Sequence, residues 1–374
     1  MEAAEYDLII AGAGPAGSAS AITAARAGAK VLLLEKERFP RHKVCGEFVS
    51  PESLQLLDWL LDKNCFQEKP EIGRARVFSE RKTVSLPISP AARSIPRYEL
   101  DAELLAAARR AGAKVHEEMA VRQVEVGTAF KAHTNGTTFV ARAMVNASGR
   151  WSQLTQHRER KSKDRWIGLK GHFSESDPSH SVDLYFFEGG YCGVQPVSKN
   201  AVNACAMVRP DAARSLEEVF SRQPELWLRS RNWEPLFPAI STSPLYFHQP
   251  QTESNGTLLA GDSAAFIDPF AGDGISLALH SGTLAAESLA PFFQGQCSLE
   301  EAKRKYRATY LEQFAPAFRN AARVRLMLST PRLIRSMLVS MVGMEPFAKA
   351  IVRGTRARSS GHPVLGSPGP RKIG

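Results

Sequence analysis

Two glycine-rich segments hold the residues best suited to chemistry, and the first lies near the start of the chain. Gly12, Gly14 and Gly17 follow a hydrophobic run and precede a stretch of small residues. This order predicts a strand, a tight turn and a helix whose free N–H groups bind phosphate. Gly12 permits the sharp turn, Gly14 lets the backbone approach a pyrophosphate, and Gly17 lets the helix pack against the strand.

The second predicted strand, 30–34, ends in a carboxylate, Glu35. A carboxylate at this position accepts hydrogen bonds from both hydroxyls of an adenosine ribose. The two strands and the helix between them therefore form the βαβ unit that is typical of dinucleotide-binding proteins.

The second segment, 256–279, indicates which dinucleotide binds. It predicts a buried strand that ends at Gly261 and Asp262, followed by a loop that opens a second helix at Gly274. NAD needs only the first unit, whereas a cofactor with a ribityl chain needs a second contact. Asp262 suits the ribityl hydroxyls, and the helix N-terminus at Gly274 and Ile275 suits the negative charge of a reduced flavin. The two segments together indicate FAD.

Two further patterns carry a resemblance to a known family. Pro40 to Glu47 follows the first βαβ unit, and Arg97 to Val115 has the pattern of a helix, a turn and a strand. With the glycine segments, they resemble the geranylgeranyl reductase-type FAD-dependent oxidoreductases. These belong to the para-hydroxybenzoate hydroxylase-like group, which also includes flavin-dependent halogenases. The resemblance covers roughly residues 5 to 290.

This resemblance implies further cofactor contacts. Arg97 lies along the cofactor, the backbone near Val121 contacts the adenine, and the Cys45-Gly46 pair lies close to the isoalloxazine ring. The full set of predicted FAD contacts is Gly12, Gly14, Pro15, Ala16, Gly17, Glu35, Lys36, Cys45, Gly46, Arg97, Val121, Asp262, Gly272, Gly274 and Ile275. No metal ligands are predicted, because the 5 cysteines are scattered and include no Cys-x-x-Cys pair.

The motifs predict an α/β fold with discontinuous domains. We expect a Rossmann-like FAD-binding domain of the glutathione reductase and para-hydroxybenzoate hydroxylase type, an inserted antiparallel β-sheet for the substrate (an α+β part), and C-terminal helices. Strand patterning falls at 167–173, 182–187, 191–197 and 201–208, and the segment 215–233 is predicted to be helical. The predicted boundaries are 1–75, 96–160 and 245–295 for the FAD-binding domain, 76–95 and 161–244 for the substrate domain, 296–353 for a helical cap and 354–374 for a disordered tail.

The predicted electron source is NAD(P)H or a separate reductase protein. Hydroxylases of this group often carry an Asp-Gly pair after a third strand, and Ser148 replaces that aspartate here. This departure weakens the expectation that a nicotinamide binds productively. The Trp-x-Trp-x-Ile-Pro run of halogenases is absent as well, so halogenation is not favoured.

Composition agrees with an enzyme in a reducing compartment. The chain has 374 residues, of which 43% are hydrophobic, enough for a large core. The first residues fit the βαβ pattern and not a signal peptide, so we expect a cytoplasmic protein whose thiols stay free.

The C-terminal end is strongly basic. From Lys303 onwards there are fifteen Lys or Arg residues and only two acids, Glu312 and Glu345. The net charge of this segment is therefore larger than the net charge of +10 of the whole chain. Two interpretations stay open: amphipathic helices on the inner face of an anionic membrane, or a helical cap on the core with solvated charges. Nucleic-acid binding is not expected, because no aromatic platform interleaves with the basic residues.

Two reactions fit a flavin beneath the inserted sheet. In the favoured one, reduced FAD transfers a hydride to a carbon–carbon double bond of a lipophilic substrate, prenyl or lipid-like, and Cys45 supplies a proton or tunes the ring. In the alternative, a monooxygenase hydroxylates an aromatic or polyketide-like substrate through a flavin peroxide, in a cavity lined by aromatic side chains. Candidates for that lining are Tyr185, Phe186, Phe187, Tyr191, Tyr246 and Phe247.

Two basic residues and one non-enzymatic alternative complete the predictions. Arg41 and Lys43 either orient an anionic head group of the substrate or are solvated at the surface. A flavin-stabilised, non-enzymatic protein at the membrane surface is the third alternative. The loop 269–275, which faces the predicted flavin edge, argues against it.

Overall fold

Two β-sheets organise the protein. The computed structural model describes residues 4–79, 83–150, 154, 166–245, 247 and 249–328. The strands are β1 (Tyr6–Ala11), β2 (Val31–Leu34), β3 (Phe48–Val49), β4 (Glu71–Phe78), β5 (Thr83–Ser94), β6 (Lys114–His116), β7 (Gln123–Val126), β8 (Phe130–His133), β9 (Thr138–Asn146), β10 (Trp166–Ser174), β11 (Ser181–Phe187), β12 (Gly190–Ser198), β13 (Ala201–Val208), β14 (Ile240–Leu245), β15 (Glu253–Ser254) and β16 (Thr257–Leu259). The helices are α1 (Pro15–Arg26), α2 (Pro51–Leu61), α3 (Arg97–Arg110), α4 (Leu216–Ser221), α5 (Pro224–Ser230), α6 (Gly274–Phe293) and α7 (Leu299–Leu328).

The first sheet has the strand order β15-β16-β9-β1-β2-β6, and β8 pairs with both β9 and β7. The central strand β1 runs parallel to β2 and to β9. Its apolar residues do not alternate with polar ones, because both faces of the strand are buried. Leu8 and Ile10 pack with the helices on one face, and Ile9 packs with Phe130 and Phe139 on the other. The mixed α/β fold is therefore confirmed.

The second sheet has the strand order β14-β10-β13-β12-β11-β4-β5-β3. Its pairs are antiparallel except β4 with β11, which are parallel. The strands predicted from patterning are confirmed as β10 to β13. One face of this sheet is covered by α4 and α5, through contacts that include Phe173, Val219 and Leu226. The opposite face borders the functional cavity described below.

The segment 215–233, which was predicted to be helical, contains two helices, α4 and α5. Pro224 has no N–H to continue a helix, and it stands at the first position of α5, where none is needed. The side chain of Gln223 caps α5 by accepting a hydrogen bond from the N–H of Leu226 at 2.8 Å. Strand β4 begins at Glu71, before the start that was predicted for the substrate domain at residue 76. The domain boundaries stay predictions.

The long helix α7 packs against the core through aromatic side chains. Tyr306, Tyr310 and Phe314 are buried in succession along it, and the Tyr306 hydroxyl donates a hydrogen bond to the carbonyl of Leu259 at 2.6 Å. The remainder of the predicted cap, 329–353, and the tail 354–374 lie outside the described residues. No helix among the described residues combines the length and the apolar character needed to cross a membrane.

Candidate functional site

A cavity of about 800 Å³ joins the two sheets. Its walls are the ends of β1 and β2, the starts of α1 and α6, and one face of the second sheet. Of the predicted cofactor contacts, Gly17 lies outside the lining. The others all line the cavity: Gly12, Gly14, Pro15, Ala16, Glu35, Lys36, Cys45, Gly46, Arg97, Val121, Asp262, Gly272, Gly274 and Ile275.

The first glycine turn brings backbone atoms into close contact. Gly12 has a φ of +97°, and a Cβ there would lie 2.6 Å from the carbonyl oxygen of Ala147. A Cβ at Gly17 would lie 1.7 Å from the carbonyl oxygen of Gly12, so α1 packs directly on the turn. Beside Gly14, the nearest atom to an added Cβ would be a guanidinium nitrogen of Arg97 at 3.9 Å. The backbone of Gly14 is therefore open to the cavity.

The N-terminus of α1 is also open to the cavity. No side chain caps it, and its first turn contains no acidic residue. Gly14, Pro15 and Ala16 line the cavity at this point. Because the first N–H groups of a helix carry partial positive charge, the fitting ligand is an anion such as a pyrophosphate.

Glu35, at the end of β2, is only 3% exposed. One carboxylate oxygen accepts a hydrogen bond from the N–H of Ala13 at 2.8 Å, and the other accepts from the N–H of Glu37 at 3.0 Å. A guanidinium nitrogen of Arg41 lies 3.4 Å from the second oxygen. A carboxylate oxygen can accept more than one hydrogen bond, so Glu35 retains capacity for the ribose hydroxyls.

Three cations, Arg41, Lys43 and Arg97, line this end of the cavity. Arg97 donates two hydrogen bonds of 2.7 Å to Asp101. Burial disfavours the charge on Arg97, but Asp101 outweighs burial and raises the pKa of the guanidinium. Burial and the charges of Arg97 and Arg41 lower the pKa of Lys43 to about 8. Three basic side chains at this end of the cavity again favour an anionic ligand.

The second glycine-rich segment forms a further wall of the cavity. After β16, a 3-10 helix over Gly261–Ser263 puts Asp262 in the lining. Arg150 lies 3.8 Å from the Asp262 carboxylate, and its guanidinium carbon lies 4.1 Å from the ring centre of Phe266. Helix α6 then begins at Gly274. The predicted order of strand, turn and helix is confirmed.

The loop before β3 contains a buried carboxylate, Glu47, beside Cys45. Glu47 accepts hydrogen bonds from Nε2 of His172 at 2.7 Å and from the backbone N–H of Arg97 at 2.8 Å. It also accepts one from Nζ of Lys170, which is completely buried. Burial alone raises the pKa of Glu47, but His172 and Lys170 together lower it below its ordinary value. The carboxylate is therefore held in its ionised form.

The partners of Glu47 were missed by the sequence analysis. Lys170 and His172 stand two residues apart on β10, so their side chains lie on the same face of the second sheet. The available signal was a lysine inside a predicted buried strand, because a buried cation needs a counter-charge. The sequence did not indicate that the counter-charge lies far away at Glu47.

The face of the second sheet that borders the cavity is largely apolar. Side chains alternate along each strand, so every second residue of β4, β5 and β11 lies on this face. The apolar and aromatic residues that this sheet contributes to the lining include Phe48, Ala75, Val77, Val84, Leu86, Pro87, Ile88, Val182, Leu184, Phe186, Tyr191, Ala206, Met207, Ile240 and Leu245.

The aromatic lining differs from the prediction. Phe186 and Tyr191 line the cavity. Tyr185 and Phe187 do not, because strand alternation directs them to the opposite face, where they pack with α4 and α5.

Two more of the predicted aromatic residues follow β14. Phe247 stacks on Phe266, with ring centres 5.3 Å apart, and Phe266 lines the cavity. Tyr246 lies outside the described residues. The described Phe and Tyr side chains that line the cavity are therefore Phe48, Phe186, Tyr191, Phe266 and Phe270.

Comparison with known proteins identifies the family. A family model described as an FAD binding domain matches residues 5–317. The chain belongs to this FAD-binding family. It is an FAD-dependent oxidoreductase, and the non-enzymatic alternative is removed.

The relatives differ in their reactions. A menaquinone reductase of Mycolicibacterium smegmatis is 28% identical, over 88% of this chain and 86% of its own. Digeranylgeranylglycerophospholipid reductase 2 of Methanopyrus kandleri is 25% identical, over 87% of both chains. A flavin-dependent halogenase of Armillaria mellea is 27% identical, over 79% of this chain and 69% of its own. The resemblance to geranylgeranyl reductases is thus one of several at low identity.

Solved structures share the fold. The myxobacterial chondrochloren halogenase CndH superposes with a TM-score of 0.77 at 20% identity, covering 95% of this chain and 94% of its own. A geranylgeranyl bacteriochlorophyll reductase-like protein of Thermoplasma acidophilum gives a TM-score of 0.78 at 22% identity, covering 93% of this chain and 96% of its own. Both comparisons support the predicted FAD-binding architecture.

The residues of the cavity fit FAD. The open backbone at Gly14 and the uncapped start of α1 suit its pyrophosphate, and Glu35 suits its ribose. Asp262 and the start of α6 suit the second contact that a ribityl chain requires. These residues would hold the cofactor, which would supply the redox chemistry. The second sheet borders the same cavity.

Proposed function

We propose that this enzyme reduces a carbon–carbon double bond in a lipophilic small molecule of the prenyl or lipid-like class. The observation that carries the proposal is the apolar face of the second sheet, which extends the cofactor site into a larger cavity. Polar substrates are recognised by hydrogen-bonding groups in the wall, and an apolar wall leaves their polar atoms unsatisfied. A hydrocarbon chain loses no hydrogen bonds against Val77, Leu86 or Leu184.

Two relatives support this substrate class. The Mycolicibacterium smegmatis protein is named for the reduction of menaquinone, and the Methanopyrus kandleri protein for the reduction of digeranylgeranylglycerophospholipid. Both substrates are lipophilic, and both relatives match nearly nine-tenths of this chain, at 88% and 87%. The halogenase matches a smaller share, 79%.

We assign the proton needed by this reaction to Cys45. FAD, when bound, supplies the hydride that adds to one carbon of the double bond. The Cys45 thiol lines the cavity, and its sulfur accepts a hydrogen bond from the N–H of Glu47 at 3.3 Å, which fixes its orientation. The thiol proton adds to the other carbon, and solvent reprotonates the sulfur. The apolar wall keeps other water from the reacting atoms.

Arg41 and Lys43 are better assigned to the cofactor than to a substrate head group. Arg41 contacts Glu35, and Lys43 lies in the same group of charges as Arg97. Both therefore stand at the end of the cavity where the open start of α1 favours a pyrophosphate. We propose that they neutralise this pyrophosphate.

A direct test uses the holoenzyme reduced with dithionite in the absence of oxygen. Addition of a polyprenyl alcohol should give a product with two more hydrogen atoms, detected by mass spectrometry. A wild-type protein that reduces no isoprenoid alkene under these conditions would contradict the proposal. Running the same assay with NADPH, and then with a reductase protein, identifies which electron source Ser148 permits.

The role of Cys45 is tested by Cys45→Ala. The variant should keep its bound FAD and lose about 100-fold in turnover, the usual contribution of a positioned general acid. Cys297→Ala is the matched control, because Cys297 is a free, half-buried thiol that packs against the helical core outside the cavity lining. Full activity in Cys45→Ala would remove Cys45 from the mechanism.

A monooxygenase is the second candidate. It is favoured by the aromatic cluster of Phe186, Tyr191 and Phe266, which suits a planar aromatic ligand. If it is correct, the reduced enzyme supplied with oxygen and an aromatic substrate should incorporate one oxygen atom into the product. The same assay with halide present tests the halogenase reaction named for the Armillaria mellea relative.

For α7 we favour the interpretation as a cap. Its apolar residues Tyr306 and Tyr310 are buried against the core, whereas Arg304, Lys305 and Arg307 are exposed. The aromatic side chains of this part of the helix therefore face the core and are not available to a membrane surface. Liposome binding that depends on these three basic residues would contradict the cap interpretation.

A further inference from the structure

The loop that carries Cys45 and Gly46 is held by a side chain of the second sheet. Nδ2 of Asn203, on β13, donates hydrogen bonds to the carbonyl oxygens of Cys45 at 3.0 Å and of Gly46 at 2.9 Å. Asn203 is 1% exposed, so these bonds are shielded from water. One buried amide therefore fixes two consecutive peptide groups of a loop that lines the cavity.

The orientation of the Asn203 amide follows from these contacts. If the amide were turned over, its oxygen would face two carbonyl oxygens, and three acceptors would meet without a donor. The orientation with Nδ2 towards the loop leaves Oδ1 buried without a hydrogen-bond partner among the described residues. An unpaired buried oxygen is costly, which argues that the two bonds to the loop outweigh it.

Peptide geometry then determines where the Gly46 N–H points. The Cys45–Gly46 peptide is trans, since the cis bonds in the described part of the chain lie at Phe39–Pro40 and Ser89–Pro90. In a trans peptide, the N–H and the C=O point in opposite directions. Because the carbonyl of Cys45 points to Asn203 in the sheet, the N–H of Gly46 points away from the sheet.

This N–H is available to a ligand. Gly46 is exposed within the cavity lining, and a Cβ added there would meet no atom within 4 Å. No acceptor for its N–H is found among the described residues. A fixed N–H group with no protein partner is suited to an acceptor atom that arrives with the cofactor.

A second anchor holds the other end of the same loop. Glu47 has a φ of +62°, an uncommon conformation for a residue other than glycine. Its carboxylate is bound by Lys170 and His172 of β10 and by the backbone N–H of Arg97. The second sheet therefore holds this loop at two points, from β13 and from β10.

We propose that Asn203 and Glu47 are positioning residues of the flavin site, which aim the Gly46 N–H at an acceptor atom of the flavin ring. This proposal rests on the proposed function: for hydride to pass to the substrate, the ring would lie where the cofactor cradle meets the substrate wall. Gly46 stands at this junction, since it lines the cavity with Gly14 and is held by the substrate sheet. The sheet that would cover the substrate would thus also position a hydrogen-bond donor to the flavin.

The test compares Asn203→Leu with wild type in three measurements on FAD itself. The dissociation constant of FAD should rise about tenfold, equivalent to 1.4 kcal/mol. The visible bands of the bound flavin should shift, and its reduction potential should become more negative because a donor to the reduced ring is lost. Asn203→Ser, whose hydroxyl is too short to reach both carbonyls, should change all three in the same direction and is measured in parallel in case the larger change prevents folding.

Gln223→Leu is the matched control. Gln223 is also a buried amide, 1% exposed, that binds a backbone group, but it caps α5 and lies outside the cavity lining. The Gln223→Leu variant should have a lower unfolding temperature, with no change in the flavin spectrum or in the reduction potential of the flavin. Folded Asn203 variants with wild-type FAD affinity, spectrum and potential would overturn the proposal, and so would equal flavin changes in Gln223→Leu.

Discussion

The two ends of the cavity are built from different materials. The end that we assign to the cofactor, the cofactor end, consists mainly of backbone groups, at Gly12, Gly14 and the uncapped start of α1, with Glu35 beside them. The end that we assign to the substrate, the substrate end, consists of side chains that alternate along the strands of the second sheet. A backbone site requires glycines at fixed spacing, whereas a side-chain wall requires only apolar residues on one face. The first is therefore specific for one ligand, and the second is adjustable.

The largest effect is expected where the two ends are joined. Glu47→Gln removes the counter-charge of the fully buried Lys170, and an unpaired buried charge costs about 3–5 kcal/mol of folding free energy. Adding Lys170→Met should recover much of this loss, because no charge then stays buried. Urea unfolding of the two single variants and the double variant measures the coupling.

The same pair predicts how stability depends on pH. The folded-state pKa of Glu47 lies below its ordinary value of 4.5, because His172 and Lys170 outweigh burial. The ionised carboxylate therefore stabilises the fold at pH above 4.5, and this contribution is lost as the pH falls through the folded-state pKa. Wild type should lose more stability than Glu47→Gln/Lys170→Met over this range. Equal losses would contradict the assignment.

The next effect concerns the backbone of the cofactor end. Gly17→Ala would put a methyl carbon 1.7 Å from the carbonyl oxygen of Gly12, so α1 must move away from the turn. We expect a loss of about 3 kcal/mol in stability and little bound FAD after purification. Gly73→Ala is the control, because a Cβ there meets nothing within 4 Å. Normal FAD content in Gly17→Ala would show that the turn tolerates a wider separation.

A smaller effect is expected from Lys43, through pH. Its pKa of about 8 means that the ammonium loses its proton as the pH rises through 8. Since a pyrophosphate is bound better by the charged form, FAD affinity should be highest below pH 8 and fall about tenfold above it. Lys43→Met should bind FAD weakly at pH 7 and show no such pH dependence. Fluorescence titration of the apoprotein at several pH values gives the comparison.

The smallest effect belongs to the adjustable end. Leu184→Asn keeps the approximate size of the side chain but brings a polar amide to the apolar wall. Binding of a hydrocarbon chain should weaken about fivefold, because it would cover unsatisfied polar atoms, whereas FAD affinity should not change. Leu228→Asn is the control, since Leu228 is 57% exposed on α5. A loss of FAD in Leu184→Asn would contradict the division between the two ends.

This division also explains how far the sequence could be interpreted. The glycine turn, Glu35, and the Asp262 segment were predictable because each lies within a short stretch whose spacing alone dictates its geometry. The strands β10 to β13 were predictable from their patterning for the same local reason.

The remaining features depend on partners that are distant along the chain. Asn203 and Cys45, or Lys170 and Glu47, are far apart in the sequence and meet only in the folded protein. The face on which Tyr185 lies depends on the strand register, which a shift of one residue would reverse. The break at Pro224 carried a local signal, since a proline interrupts a helix interior.

The order of the strands limits how this enzyme can be taken apart or recombined. The hairpin of β4 and β5 comes between α2 and α3 in the sequence and belongs to the second sheet, where β4 pairs with β11. Strand β11 comes much later in the sequence, after β6 to β9 of the first sheet. The chain therefore passes from one sheet to the other more than once before either is complete. No single cut yields a separate cofactor module or a separate substrate module. New specificity would have to be introduced by exchanging side chains on the wall, not by grafting a domain.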